Sequence, residues 1–256
     1  MSIISGSAAI STTGSSGFYD FPIGQSLMFD GSSYLEKTNF VNGSDDYTFS
    51  AWVKISEVGY SHMIFGAVDA GGGVGTIYKQ DLIRIKPSSE LNHYQFSNGN
   101  TYYVDATSTA LLRDTSAWYH IVSSYNHSGT STVTLYVNGQ SVATDGTSNT
   151  NRGINKTGYG SYTESHLIGN YGYQSSPASH GGQFKGYMAE INFIDGQALT
   201  PTSFAETKNG VWTPKNPSGL TYGTNGFRLT FESSTISGND FVDQSTNSNN
   251  WTAYGF

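Results

Sequence analysis

The sequence contains no cysteine. That excludes a disulfide-stapled scaffold and a thiolate metal site. Charge is scarce: 12 Lys or Arg and 19 Asp or Glu make up 12% of 256 residues, against roughly 25% in an ordinary soluble domain. The formal net charge is −7. Without clustered Lys and Arg to displace counterions from phosphates, a nucleic-acid groove is not expected. No apolar run approaches the ~20 residues that span a bilayer, so membrane insertion is not expected either. Long runs rich in Ala, Glu, Lys, Leu and Arg are missing, which excludes a coiled coil. The first residues, Met1 to Ser7, show neither a basic n-region nor a sustained apolar h-region, and no signal peptide is expected.

Glycine and aromatics are plentiful: 31 Gly, 18 Tyr and 14 Phe. So many rings argue against a disordered chain. The length permits one large β-domain or two small ones, with enough chain to bury a core unaided. Residues 1–24 read as a small, polar arm carrying the apolar patch Phe18, Tyr19 and Phe21. That patch packs on its own domain or docks on a neighbouring subunit. From Ser26 onward, short β runs alternate with turn residues. In Thr48–Lys54, Phe49, Ala51 and Val53 share one face, with Ser50, Trp52 and Lys54 on the other. Trp118–Val122 starts another strand. Val133, Leu135 and Val137 alternate in the next, and Asn138-Gly139 is a strong hairpin signal because a type I′ turn needs positive φ twice. Phe184–Ile194 forms a long strand. Thr200-Pro201 reads as a helix start closed by Gly210, giving one short helix near 201–208. A polar tail from Ser233 to Asn250 ends in Trp251 and Tyr254. The pattern predicts an all-β, two-sheet antiparallel jelly-roll sandwich over 25–208, with 209–256 as an extension on the sandwich or on a neighbour.

The chemistry of an enzyme is hard to find. A glycosidase needs two carboxylates close together, which strand geometry supplies as E-x-D-x-x-E. The nearest pair, Glu190 and Asp195, has an odd spacing that puts them on opposite faces of a continued strand. Glu190 reads as structural and Asp195 as part of an Asp-Gly turn. The histidines at 62, 93, 120, 127, 166 and 180 lack H-E-x-x-H spacing, and no Gly-x-Ser-x-Gly elbow is present. The run Gly71–Gly75 lacks the Gly-Lys-Ser/Thr ending of a phosphate loop and reads as a sandwich loop.

Three segments together resemble the laminin-G-like branch of the concanavalin-A-like lectin/glucanase family. They are Ser26–Leu35 with Tyr47–Val53, Trp118–Val122 with Leu135–Gly139, and Leu167–Gly169 with Phe184–Ile191 and Ala198–Thr200. Further segments are similar to virion proteins of tailed, especially marine, phages: Phe193–Leu199, Trp212–Lys215, Tyr222–Phe227 and Asn249–Thr252. The resemblance implies a concanavalin-A-like fold and a non-enzymatic virion structural protein. A capsid decoration or particle-surface module that contacts other virion proteins and forms a homo-oligomer is the leading expectation. A virion protein made in the host cytoplasm needs neither export signal nor disulfides. A tail-associated receptor-binding module for host surface polysaccharide is the alternative, and a polysaccharide depolymerase a weaker one.

Candidate sites follow from these expectations. Glycan contact is assigned to Tyr159, Tyr162, His166, Tyr171 and Tyr173 in a Gly/Ser-rich loop, where rings would stack on sugar faces. The same tyrosines could equally pad the loop or meet a subunit. The family resemblance makes calcium plausible, with Asp69, Asp145 and Asn170 as candidate loop ligands. Phe18, Tyr19, Phe21 and Trp251 are the expected subunit contacts.

Overall fold

The computed structural model describes residues 20–38, 40–41, 43–69, 79–97, 101–127, 131–147, 165–170, 182–232, 236–237 and 240–256. In chain order the first strands are β1 (Leu27–Asp30), β2 (Tyr34–Thr38), β3 (Tyr47–Ile55), β4 (His62–Asp69), β5 (Lys79–Ile85) and β6 (Glu90–Ser97). They are followed by β7 (Thr101–Leu111), β8 (Tyr119–Asn126), β9 (Ser131–Val137), β10 (Gln140–Thr147), β11 (Ser165–Ile168) and β12 (Lys185–Asp195). After a 3-10 turn at Pro201–Ser203 come β13 (Ala205–Lys208), β14 (Val211–Pro214), β15 (Phe227–Leu229), β16 (Ile236–Ser237), β17 (Asp240–Phe241) and β18 (Trp251–Tyr254).

Two antiparallel sheets enclose the core. The first runs β1-β12-β3-β8-β9-β10, with β15 also paired to β12; the second runs β16-β17-β18-β2-β11-β4-β5-β6-β7. β1 and β15 share one side of β12 end to end, at residues 185–188 and 191–193 respectively. Period-two alternation explains what fills the space between the sheets. Phe49, Ala51 and Val53 from β3, and Val133, Leu135 and Val137 from β9, point into it. Phe65, Phe193, Phe227 and Trp251 meet at its aromatic centre, with Phe227 and Trp251 at 4.8 Å between ring centroids.

Alternation alone would leave the other face of β3 exposed, yet Thr48 and Ser50 are buried. The reason is a cover. Residues 197–222 cross the outer face of the first sheet, and Phe204 and Tyr222 pack there against Val122 and Ile194. The helix expected near 201–208 is replaced by the 3-10 turn and the hairpin β13–β14. Gly210 does not close a helix: Asn209 and Gly210 take φ of 49° and 82°, the two positive values of a type I′ turn. The segment after 208, expected as an extension on the sandwich or on a neighbour, adds strands to both sheets: β15 to the first and β17 and β18 to the second.

The Asn/Ser-rich tail is fastened by side chain to backbone bonds. Asn247 Nδ2 donates to the Gly226 carbonyl at 2.8 Å, and Asn249 Nδ2 to the Thr224 and Gly226 carbonyls. Trp251 is 0% exposed and packs on Phe40, Phe65 and Phe227. Its assignment as a subunit contact is therefore corrected: burial in the centre of its own core removes it from any surface. Phe21 likewise lies against its own chain, 5.6 Å beneath the Arg228 guanidinium, and Asp20 pairs with Lys208. Phe18 and Tyr19 lie outside the described residues.

Two Asn-Gly turns provide a matched test. Asn138 and Gly139 take φ of 48° and 80°, as the hairpin signal predicts. A Cβ at Gly139 would meet the Trp212 ring at 2.8 Å, whereas one at Gly210 would meet nothing within 4 Å. Gly210→Ala should cost about 1–2 kcal/mol for left-handed backbone. Gly139→Ala should cost that and about 1–3 kcal/mol more for overpacking. Urea denaturation checks the difference; equal losses would show that Trp212 does not pin this turn.

Candidate functional site

The outer face of the first sheet carries the most chemically articulated surface among the described residues. β8 turns Ile121, Ser123 and Tyr125 inward and Val122, Ser124 and Asn126 outward. β9 likewise presents Thr132, Thr134 and Tyr136. The register places Ser124 opposite Thr134 and Asn126 opposite Thr132. Thr144 on β10 continues the first of these rows. Ala198 and Thr200 approach from the cover. The half-open groove has a volume of about 410 Å³ and is lined by Ser124, Asn126, Thr132, Thr134, Tyr136, Ala198 and Thr200. That is within the range of small-molecule sites.

The wall from the cover is fixed by one hydroxyl. Thr48 Oγ1 donates to the Gln197 carbonyl and accepts from the Leu199 N–H, both at 2.7 Å. Upstream, Asp195 acts as a clasp. Its carboxylate accepts from the Ser44, Thr224 and Asn225 amides at 2.7, 3.1 and 2.9 Å. The Asn225 side chain in turn bonds both backbone groups of Val41. The Asp-Gly turn expected here exists, with Gly196 at φ 97°.

The same face has a second character at its other end. The pairings Met28↔Tyr187 and Tyr187↔Lys54 set these residues in one cross-strand row. Trp118 lies 6.5 Å from the Tyr187 ring, and Met28 and Trp118 are 37% and 38% exposed. Between the two ends stands His120, which is 0% exposed. Trp212 Nε1–H donates to His120 Nδ1 at 3.1 Å. An indole N–H only donates, so Nδ1 is the acceptor and the proton of the neutral ring sits on Nε2. Nε2–H therefore donates to Ser50 Oγ at 2.9 Å. Burial, with no anion to compensate, lowers the His120 pKa to about 3.

A buried polar network lies between the sheets. His93 bonds Ser123 Oγ through Nδ1 at 2.7 Å and Asp81 Oδ1 through Nε2 at 2.6 Å. The other Asp81 oxygen accepts from Tyr47 at 2.9 Å and Gln95 at 2.7 Å. The order Ser–His–Asp is that of a hydrolase triad. Its surroundings are not: Ser123 and His93 are 1% and 0% exposed. Among the described residues, this hydroxyl is packed inside the sandwich and not displayed on a surface. The arrangement satisfies polar groups inside the sandwich and braces one sheet on the other. Glu190, read as structural, pairs with Arg228 at 2.6 Å, and burial raises its carboxyl pKa while Arg228 opposes the rise.

The expected site residues that the structure describes do not form one site. Tyr159, Tyr162, Tyr171 and Tyr173 lie outside the described residues. His166 is 0% exposed and stacks on Phe40 at 3.9 Å, so its glycan-contact assignment is corrected: the imidazole is a core ring. Asp69 and Asp145 were expected in loops; their backbones belong instead to β4 and β10, in different sheets. Asn170 follows β11 and is buried. Among the described residues, no three His, Asp or Glu gather in a group able to hold a metal ion. The groove itself was missed. Its one sequence signal is the polar half of the β9 alternation, Thr132, Thr134 and Tyr136, which resembles any solvent-facing strand.

Two antiparallel sheets with a covered outer face define the class of this molecule as a jelly-roll sandwich. Residues 29–204 match the profile of the concanavalin A-like lectin/glucanases superfamily, and the chain belongs to that family. No curated protein matches it. Among solved structures it is similar in fold to a candidate carbohydrate-binding protein from Bacteroides ovatus, at 19% identity and a TM-score of 0.50. That match covers 87% of this chain but only 56% of the other. Domain 4 of the extracellular arabinanase AbnA of Geobacillus stearothermophilus, in complex with arabinotriose, is similar at 19% identity and a TM-score of 0.48, covering 72% and 76% of the two chains. A sialidase carbohydrate-binding module of Ruminococcus gnavus follows at 11% identity and a TM-score of 0.48, covering 69% and 92%.

The His120 hub makes a pH prediction. A folded-state pKa near 3 lies below the ordinary value of 6.5, so the ring binds its proton more readily when unfolded. Its contribution to stability is complete above about pH 6.5 and is lost as pH falls towards 3. The slope in that window is up to about 1.4 kcal/mol per pH unit. Urea titrations of wild type and His120→Gln at pH 7, 5.5 and 4 check this. The variant should be less stable at pH 7 and lose less on acidification; parallel profiles would contradict it.

Proposed function

We propose that this chain is a carbohydrate-binding module that holds a saccharide in the Ser124–Thr134–Tyr136 groove without cleaving it. The observation that carries the reading is the groove's lining: hydroxyl and amide groups on two rigid strands, walled by a loop that Thr48 fixes. Saccharides display the same chemistry, hydroxyls that both donate and accept. Sites on strands hold such groups at fixed spacing and lose little entropy on binding. The lectin-like family, and a fold neighbour described as carbohydrate-binding, support this direction.

The binding-only part rests on where the carboxylates are. Among the described residues, the four buried acids are engaged in structural roles: Asp81 by His93, Tyr47 and Gln95, Glu190 by Arg228, Asp195 by three amides, and Asp243 by the Arg228, Ser245 and Asn249 amides and the Ser245 hydroxyl. Glycoside hydrolysis would need two of them facing the ligand. The test pairs Thr134→Val with Tyr136→Phe, which keep shape and remove two hydroxyls. Two hydrogen bonds of about 1 kcal/mol each predict roughly thirtyfold weaker saccharide binding by calorimetry. Unchanged affinity, or release of reducing ends by wild type, would overturn the reading.

A second reading sets the module on a phage particle. It is favoured by the row in which exposed Met28 and Trp118 flank half-buried Tyr187 beside Lys54, since aromatic side chains suit protein contacts. A neighbouring particle protein would cover that row and leave the polar groove open. Trp118→Ala should abolish co-sedimentation with particles while leaving saccharide affinity unchanged; retained co-sedimentation would remove this row from the contact.

A further inference from the structure

The groove's lining also speaks to the kind of saccharide, an inference that rests on the saccharide-binding reading above. We infer that the site selects uncharged saccharides over acidic ones such as sialylated, uronic or sulfated chains. Its described lining presents five hydroxyls, one amide and one methyl group. Each hydroxyl donates one hydrogen bond and accepts others, and the amide does both. Such a surface exchanges bonds evenly with a neutral polyol. It offers an anion only neutral donors, and leaves its own acceptor lone pairs facing the charge.

Acidic groups are recognised elsewhere by paired cations, above all the bidentate guanidinium. Here the described lining holds no Lys or Arg, Lys54 stands at the other end of the face in the row of Tyr187, and three further cations are engaged by their own partners. Arg228 is engaged by Glu190, Lys208 by Asp20, and Lys215 donates to the Thr202 carbonyl at 3.3 Å. The charge that does sit at the rim is negative. The Asp46 carboxylate accepts from the His127 N–H at 2.7 Å, one residue past the lining Asn126. The Asp46 carbonyl accepts from Gly196 N–H, two residues before the lining Ala198. A carboxylate held there, in a chain of net charge −7, repels a second anion entering the half-open groove. An acidic saccharide thus loses hydration without gaining a counter-charge, the costly case for any buried charge.

Calorimetry of the full chain against matched pairs tests this: a neutral galactan oligosaccharide and its sulfated counterpart, and a galactose-terminated oligosaccharide and its sialylated form. The neutral member should bind at least about tenfold more tightly in each pair that binds. Thr134→Lys should narrow or invert that ratio by placing an ammonium on the groove floor, and Thr132→Lys serves if that variant misfolds. Acidic members that bind as tightly as neutral ones would overturn the selectivity while saccharide binding stood. Failure of every pair to bind would overturn the saccharide reading, and the selectivity with it. A preference for neutral ligands that neither lysine variant changes would remove the ligand from this groove.

Discussion

Glu190 holds a left-handed backbone at φ 46° in the middle of β12, where the pairing with β3 slips by one residue between Ala189 and Asn192. This bulge resets the parity of the strand. Met188 before it and Ile191 and Phe193 after it all face the core. If the same residues ran through a regular ladder with no bulge, Ile191 and Phe193 would turn towards the outer face. Burying two such side chains contributes about 3–6 kcal/mol, which outweighs the roughly 1–2 kcal/mol cost of left-handed backbone at a non-glycine residue. The strained residue is also a carboxylate, and Arg228 from β15 supplies the charge its burial demands. One irregularity thereby sets the core, divides β12 between β1 and β15, and fixes where the chain leaves the sheet.

What leaves the sheet becomes the cover. Asp195 terminates β12 and gathers amides from residues far apart in the chain, at Ser44, Thr224 and Asn225. Between these anchors, residues 197–222 lie across the first sheet, seal Thr48, Ser50 and His120 beneath them, pack on Val122, and leave the Ser124–Asn126 end of β8 with Thr132 and Thr134 of β9 lining a groove at their edge. The groove is the uncovered remainder. Its position follows from where the cover ends, and its chemistry from which side chains alternate outward there.

The molecule also shows how contact order among residue types can mislead. Ser123, His93 and Asp81 meet in a triad's sequence of bonds, yet between the sheets, where all three are buried. Their bonds satisfy groups that would be costly to bury alone. The accessible polar groups are the unremarkable ones, threonines and a tyrosine on a strand. Accessibility separates the two sets, and it is a property of layers, not of residue identity.

Local rules made much of the architecture legible. Alternation in Phe49–Val53 and Val133–Val137 foretold which residues face the core, because a strand's side-chain period is two wherever the ladder is regular. Asn138-Gly139 foretold its hairpin, because few residue pairs take positive φ twice. The family segments foretold the sandwich. The same locality explains the errors. Thr200-Pro201 and Gly210 carry helix signals and turn signals alike, and only packing on the sheet selected the 3-10 turn and a second Asn-Gly hairpin. Trp251 and His166 looked available because a sequence does not say which polar-flanked ring will be central. The groove and the His93 network each join residues from separate strands, brought together by ladder register and by two sheets closing on a shared core. Sequence alone determined the strands, the turns and the faces; tertiary structure decided which face was covered and which hydroxyls stayed in water, since burial is settled by distant segments packing together.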